Sequence, residues 1–229
     1  MNPISPRIAP TEVEAILFDL DGTLIDTDDV MIERAVRWLQ PLGQLFPQGD
    51  PRQMLRWAIM ASEGPTNVLL TFLDILGLDD ELFAFGDRLR RLRGLRTPAN
   101  FQPVDGAVEA VRELSRRYPL GIVTTRSRRD AKTFLKQYAL VDCFSVVVTH
   151  EDTWHLKPHP APIRYAAEQL GVAVERCLMV GDTSVDVRAA KAAGTYTVGV
   201  LCGFGERGDL AGADLILENT AELGSWLNV

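Results

Sequence analysis

The sequence predicts an α/β fold: a mostly parallel sheet with helices on both faces, interrupted by one long α-helical insertion. Three observations predict it. Short apolar runs alternate with helical patterns over much of residues 104–229, the pattern of βαβ units. Polar residues capable of chemistry follow several of those runs, where a parallel sheet places its ligand crevice. Residues 27–103 separate the first run from the rest, whereas a βα connection commonly takes roughly 2–6 residues.

The first run, Ala15-Ile16-Leu17-Phe18, reads as a buried strand. Asp19-Leu20-Asp21-Gly22-Thr23 follows it directly. Side chains alternate along a strand, so Asp19 and Asp21 can share a side while Leu20 turns away. The chain turns at Gly22, which leaves the geometry of Asp21 open. Two carboxylates held close repel unless a cation or a shared proton relieves them. Hard oxygen ligands suit magnesium. One carboxylate can attack an electrophile while the other handles a proton. The plainer reading is a turn after a strand, since Asp-Gly is a common turn pair.

Residues 27–103 carry helical patterning, with candidate helices over 30–39, 53–61, 68–76 and 81–95. Arg88, Arg90, Arg91, Arg93 and Arg96 form a basic run, interleaved by Leu89, Leu92 and Leu95 as on a solvated helix face. The loop from Ser62 to Thr66 separates two of these helices.

Beyond the insertion, strands are expected over 120–123, 145–148, 177–180 and 196–200, with an edge strand over 214–217. Helical spacing marks 106–117 through Val108, Val111 and Leu114, and similar patterns mark 161–170 and 185–193. Three polar signals follow these strands: Thr124-Thr125-Arg126-Ser127, Lys157-Pro158-His159-Pro160, and Gly181-Asp182 with Asp186. Each has an ordinary structural explanation. Thr124 or Ser127 can cap a helix, Lys157 can be a surface charge, and Asp182 and Asp186 suit a helix N-terminus. Their convergence with Asp19 on one sheet edge is what favours a site.

Composition narrows the classes. A net charge of -7 argues against a general nucleic-acid surface, and no run of eighteen apolar residues suggests a membrane span. Residues 1–7 carry no signal-peptide pattern. Cys143, Cys177 and Cys202 lie far apart, which fits a reducing cytoplasm better than a disulfide framework. His155 and His159 have a spacing that can bind zinc on a helix, but Pro158 and Pro160 break such a helix. The loop Gly203-Phe204-Gly205 follows a strand, with nothing in the sequence to tie it to a metal.

These motifs, in this order, resemble those of the haloacid dehalogenase superfamily. Asp19-Leu20-Asp21-Gly22-Thr23 is similar to its first motif and 120–124, ending on Thr124, to its second. Lys157 in its Pro-His-Pro context is similar to the third, and Gly181-Asp182 with Asp186 to the fourth. Within that superfamily the chain is most similar to the phosphoglycolate phosphatase group and to bacterial pyrophosphatases of the same branch. Thr125 stands where many phosphoglycolate phosphatases carry Asn, and some pyrophosphatase relatives have Thr-Thr there.

The resemblance implies a Rossmann-like core formed by 1–26 and 104–229 and a helical cap formed by 27–103. It implies Asp19 as nucleophile and Asp21 as acid and then base. It implies Mg2+ held by Asp19, the Asp21 backbone carbonyl and Asp182, with Asp186 ordering or binding the metal. Thr124, Thr125 and Lys157 would bind phosphate, and Lys157 would also orient the nucleophile. The expected substrate is a small phosphorylated metabolite, phosphoglycolate-like. The enzymatic alternatives are an inorganic pyrophosphatase and a β-phosphoglucomutase-like mutase. The non-enzymatic alternative is a regulatory or binding protein on the same fold. No lysine occurs in 27–103, so the Schiff-base chemistry of phosphonoacetaldehyde hydrolysis has no candidate there.

Overall fold

The computed structural model describes residues 10–26 and 101–229. The expected cap helices, the loop from Ser62 to Thr66 and the arginine run lie outside these residues.

Among the described residues six strands form one sheet: β1 (Ala15–Phe18), β2 (Leu120–Val123), β3 (Val146–Val148), β4 (Cys177–Gly181), β5 (Tyr196–Val200) and β6 (Leu215–Leu217). Their order is β3-β2-β1-β4-β5-β6, and each neighbouring pair is parallel. The edge strand expected over 214–217 is therefore present. Among the described residues five α-helices accompany the sheet: α1 (Ala107–Leu114), α2 (Arg128–Gln137), α3 (Ala161–Leu170), α4 (Ser184–Ala193) and α5 (Leu223–Leu227).

Strand alternation divides the core between the two faces. Ile16, Phe18, Ile122, Val180 and Val198 pack with Val111 and Leu114 of α1, Phe134 of α2 and Leu223 of α5. Ala15, Leu17 and Met179 face the other way, onto Ile163 and Ala166 of α3 and Ala189 and Ala190 of α4. Phe18 is fully buried, and burying a side chain of that size contributes about 1.5–3 kcal/mol.

Register places the site. Phe18 pairs with Ile122 on one side and Val180 on the other. Asp19, one residue past that register, and Thr124 and Asp182, two residues past it, thus emerge at the same carboxyl edge. The chain connects β1 to β2 on one side, while β4 adds on the opposite side of β1. That reversal opens the crevice in which such sheets bind ligands.

The two ends of the insertion leave from the same edge. The Asp26 amide donates to the Gln102 carbonyl at 2.9 Å, and the Val104 amide to the Leu24 carbonyl at 3.0 Å. Ile25 and Pro103 form an antiparallel bridge between them. Phe101 is pinned on both backbone groups. Its N–H donates to Gln137 Oε1 at 3.0 Å, and its carbonyl accepts from Gln137 Nε2 at 2.8 Å and from the Tyr138 hydroxyl at 2.6 Å. Phe101 is thus buried against the core. Among the described residues no helix is long and apolar enough to cross a membrane.

Candidate active site

Asp19 is the first residue past β1, and its amide donates to the Val180 carbonyl at 2.9 Å. That bond continues the β1–β4 pairing by one step and holds Asp19 beside the start of the Asp182 loop. Lys157 arrives from the loop before α3. Its ammonium lies 2.8 Å from Asp19 Oδ1 and 2.6 Å from Asp186 Oδ1. Asp186 sits in the first turn of α4, where a capping box fixes it. The Thr183 hydroxyl and amide donate to Asp186 Oδ2 at 2.7 and 3.2 Å, and the Asp186 amide returns a longer bond to Thr183 Oγ1.

Asp182 is fully buried. Its Oδ2 accepts from the Phe204 amide at 2.8 Å, and the Thr23 hydroxyl approaches its Oδ1 at 3.5 Å. Oxygens of Asp19, Asp182 and Asp186 lie within 4.8 Å of one another. Three carboxylates therefore face the single ammonium of Lys157, all four groups largely withdrawn from water. Such an excess of negative charge calls for a proton or a cation. The titration of the metal-free site reflects this. Burial, opposed by Lys157 and reinforced by Asp186 and Asp21, pushes the Asp19 carboxyl up to about 7. Burial alone would lower the Lys157 ammonium, but Asp186 and Asp19 outweigh it and hold it above its ordinary value.

Backbone crowds Asp182 from two directions. Gly22 has φ +67°, and a Cβ there would lie 2.0 Å from Asp182 Oδ2; one on Gly203 would lie 2.1 Å from the same atom. Gly203 brings the loop after β5 into the site, so Gly203-Phe204-Gly205 supports a candidate metal ligand, a role its sequence did not reveal. Gly203→Ala should destabilise the protein by about 1–3 kcal/mol, since Asp182 cannot move without breaking its bond to Phe204. Gly208→Ala meets nothing within 4 Å and should stay within about 0.5 kcal/mol of wild type. Urea denaturation of the two variants measures the contrast.

The remaining residues expected from sequence fall on the same edge. Thr124 is buried, and its hydroxyl accepts from the Arg126 amide at 3.1 Å. Thr125 is exposed, and its carbonyl lies 3.2 Å from His150 Nδ1. The Asp21 carboxylate stands outside the three-carboxylate cluster, so its expected contribution to a metal rests on its backbone carbonyl. Its two oxygens instead accept from Arg126, Oδ2 from Nε at 2.7 Å and Oδ1 from Nη2 at 2.5 Å. Sequence reading assigned Arg126 no role; its place two residues past Thr124, in the same polar loop, was the available signal. His155 and His159 stack on each other with ring centroids 4.2 Å apart.

The family model for haloacid dehalogenase-like hydrolases matches residues 16–200, a span that holds Asp19, Asp21, Thr124, Arg126, Lys157, Asp182 and Asp186, with the loop at Gly203 and Phe204 just beyond it. The chain belongs to that family. This hydrolase is 35% identical over 222 residues to pyrophosphatase PpaX of Anoxybacillus flavithermus, covering 95% of this chain and 98% of that one. It is 32% identical over 191 residues to pyrophosphatase PpaX of Bacillus cereus, covering 82% and 83%. Among solved structures, a haloacid dehalogenase-like hydrolase from Streptococcus pneumoniae superposes with a TM-score of 0.67 at 25% identity, covering 94% of the hydrolase and 99% of that chain.

Proposed function

We propose that this hydrolase is a Mg2+-dependent phosphatase that cleaves a small phosphorylated metabolite through an aspartyl-phosphate on Asp19. The observation that carries the reading is the Lys157 ammonium held between Asp19 and Asp186 at the end of β1. One Asp19 oxygen is oriented by that contact, and the carboxylate can attack phosphorus as nucleophile. Asp21 lies at the rim, where it can give a proton to the departing oxygen. It then takes one from the water that hydrolyses the aspartyl-phosphate. Thr124 supplies a hydroxyl for a phosphate oxygen, and Lys157 offsets the charge that accumulates.

The donor set suits magnesium, because every candidate ligand is a hard oxygen and the buried cluster carries excess negative charge. Asp19, Asp182 and the Asp21 carbonyl would hold the ion, with Asp186 ordering its surroundings. Bound there, it supplies the positive charge that lets an anionic nucleophile meet an anionic phosphate. The pH dependence follows from Asp19. A carboxyl titrating near 7 is protonated below that pH, and a proton competes with the cation for the same oxygens. Mg2+ affinity measured by calorimetry should therefore be greatest above pH 7 and fall steadily as the pH is lowered through 6.

A second reading, inorganic pyrophosphatase, is favoured by the name of the relatives reported above, one of which matches 95% of this chain. Phosphate release from a panel of phosphomonoesters and pyrophosphate, with Mg2+ and with EDTA, decides between them. Turnover of monoesters supports the phosphatase reading; turnover confined to pyrophosphate supports the second. Absence of Mg2+-dependent release from every member contradicts both.

A further inference from the structure

We propose that Arg126 is a specificity-determining residue. Its guanidinium holds Asp21 when no substrate is bound. It then exchanges that carboxylate for a second anionic group on the leaving side of the substrate. This inference rests on the roles of Asp19 and Asp21 proposed above, and it names the substrate class: phosphorylated acids and pyrophosphate, in preference to phosphate esters of neutral alcohols.

The geometry is that of a fork already engaged by the wrong anion. Both Asp21 oxygens accept from Arg126, at 2.7 and 2.5 Å. A carboxylate held in this way cannot also present an oxygen freely to a departing group, so Asp21 must turn out of the fork to act. For a neutral leaving group, only water replaces the charge-assisted bonds lost. A carboxylate or phosphate on the leaving side fits the same planar fork and restores them.

Two features fix the guanidinium where the exchange can occur. Its Cζ lies 5.2 Å from the centroid of the Phe101 ring, and Phe101 is anchored through Gln137 and Tyr138. Its own amide is bonded to the Thr124 hydroxyl, so the main chain of Arg126 belongs to the loop expected to hold the transferring phosphate. The pair is also reachable. The Arg126 and Asp21 side chains are 19% and 27% exposed, whereas Lys157 and Asp186 are 4% and 2% exposed. The first pair is therefore the more open to an incoming anion.

The test compares matched substrates that differ only on the leaving side. 2-Phosphoglycolate and 2-hydroxyethyl phosphate differ by a carboxylate against a hydroxymethyl group, and pyrophosphate extends the anionic series. Wild-type kcat/KM should favour the anionic members. In Arg126→Gln the anionic-to-neutral ratio should fall at least about tenfold, as expected for losing charge-assisted hydrogen bonds. The loss should be carried mainly by KM for the anionic substrates. Arg126→Lys, which keeps the charge and loses the fork, should fall between. A wild type without anionic preference overturns the proposal. So does a variant that slows both substrate kinds equally, since that is the mark of a pair that only braces Asp21. No Mg2+-dependent release by wild type from any of the three removes the underlying reading as well. An unchanged ratio in an active enzyme removes this inference alone.

Discussion

Asp19→Asn protein should release phosphate at least about a thousandfold more slowly than wild type, a loss of roughly 4 kcal/mol or more in transition-state stabilisation. The amide has the shape of the carboxylate but cannot act as the nucleophile, and it is a poorer ligand for a hard cation. The fold should survive. Asp19 is buried, and its surroundings already disfavour the ionised carboxyl in the metal-free protein. A neutral side chain of equal size therefore removes a strained charge rather than a stabilising one. Steady-state phosphate release, with urea denaturation as the check on folding, measures both halves. Turnover within tenfold of wild type contradicts the role.

Lys157→Met should be costly to stability as well as to turnover. Lys157 is 3% exposed and is the cation that touches both Asp19 and Asp186. Methionine fills most of its volume, so packing changes little, but two carboxylates are left facing each other without the ammonium. Breaking a buried ion pair by removing one partner typically costs about 3–5 kcal/mol. The loss should be read in metal-free buffer near neutral pH, from the midpoint of urea unfolding. A midpoint equal to that of wild type would show that the cluster does not depend on the ammonium.

The strands of this protein were readable because each is a short apolar run, and the central ones are buried on both faces. Ala15–Phe18 and Cys177–Gly181 are buried at every position, and a run without alternation is what a central parallel strand requires. The polar residues after those strands were readable for the same reason, since a parallel sheet leaves only its edge for chemistry. Helix α2 was not identified. Its sequence, Arg128-Arg129-Asp130-Ala131-Lys132-Thr133-Phe134-Leu135-Lys136-Gln137, is strongly polar and offers only Ala131, Phe134 and Leu135 as a buried apolar stripe. Ser127 was recognised as a possible cap and does cap this helix, accepting from the Asp130 amide at 3.2 Å.

Three parts of the site and its surroundings depend on tertiary neighbours that local pattern cannot supply. Gly203 reaches Asp182 because β5 lies beside β4, a fact of strand order rather than of spacing. The Arg126–Asp21 pair joins residues 105 positions apart. Sequence placed both residues at the sheet edge but gave no register between their loops. Phe101 is a third case, since its anchoring depends on Gln137 and Tyr138 at the far end of α2.

The central claim is a covalent intermediate on Asp19. It is tested most directly by mixing wild-type protein with a turned-over substrate and Mg2+, quenching in acid within the first turnovers, and mapping phosphorylated peptides by mass spectrometry. The account predicts a phosphoryl group on the peptide bearing Asp19, lost on treatment with hydroxylamine as an acyl phosphate should be, and absent from Asp19→Asn protein. Rapid turnover with no phosphorylated peptide, or with the phosphoryl group on another residue, would contradict it.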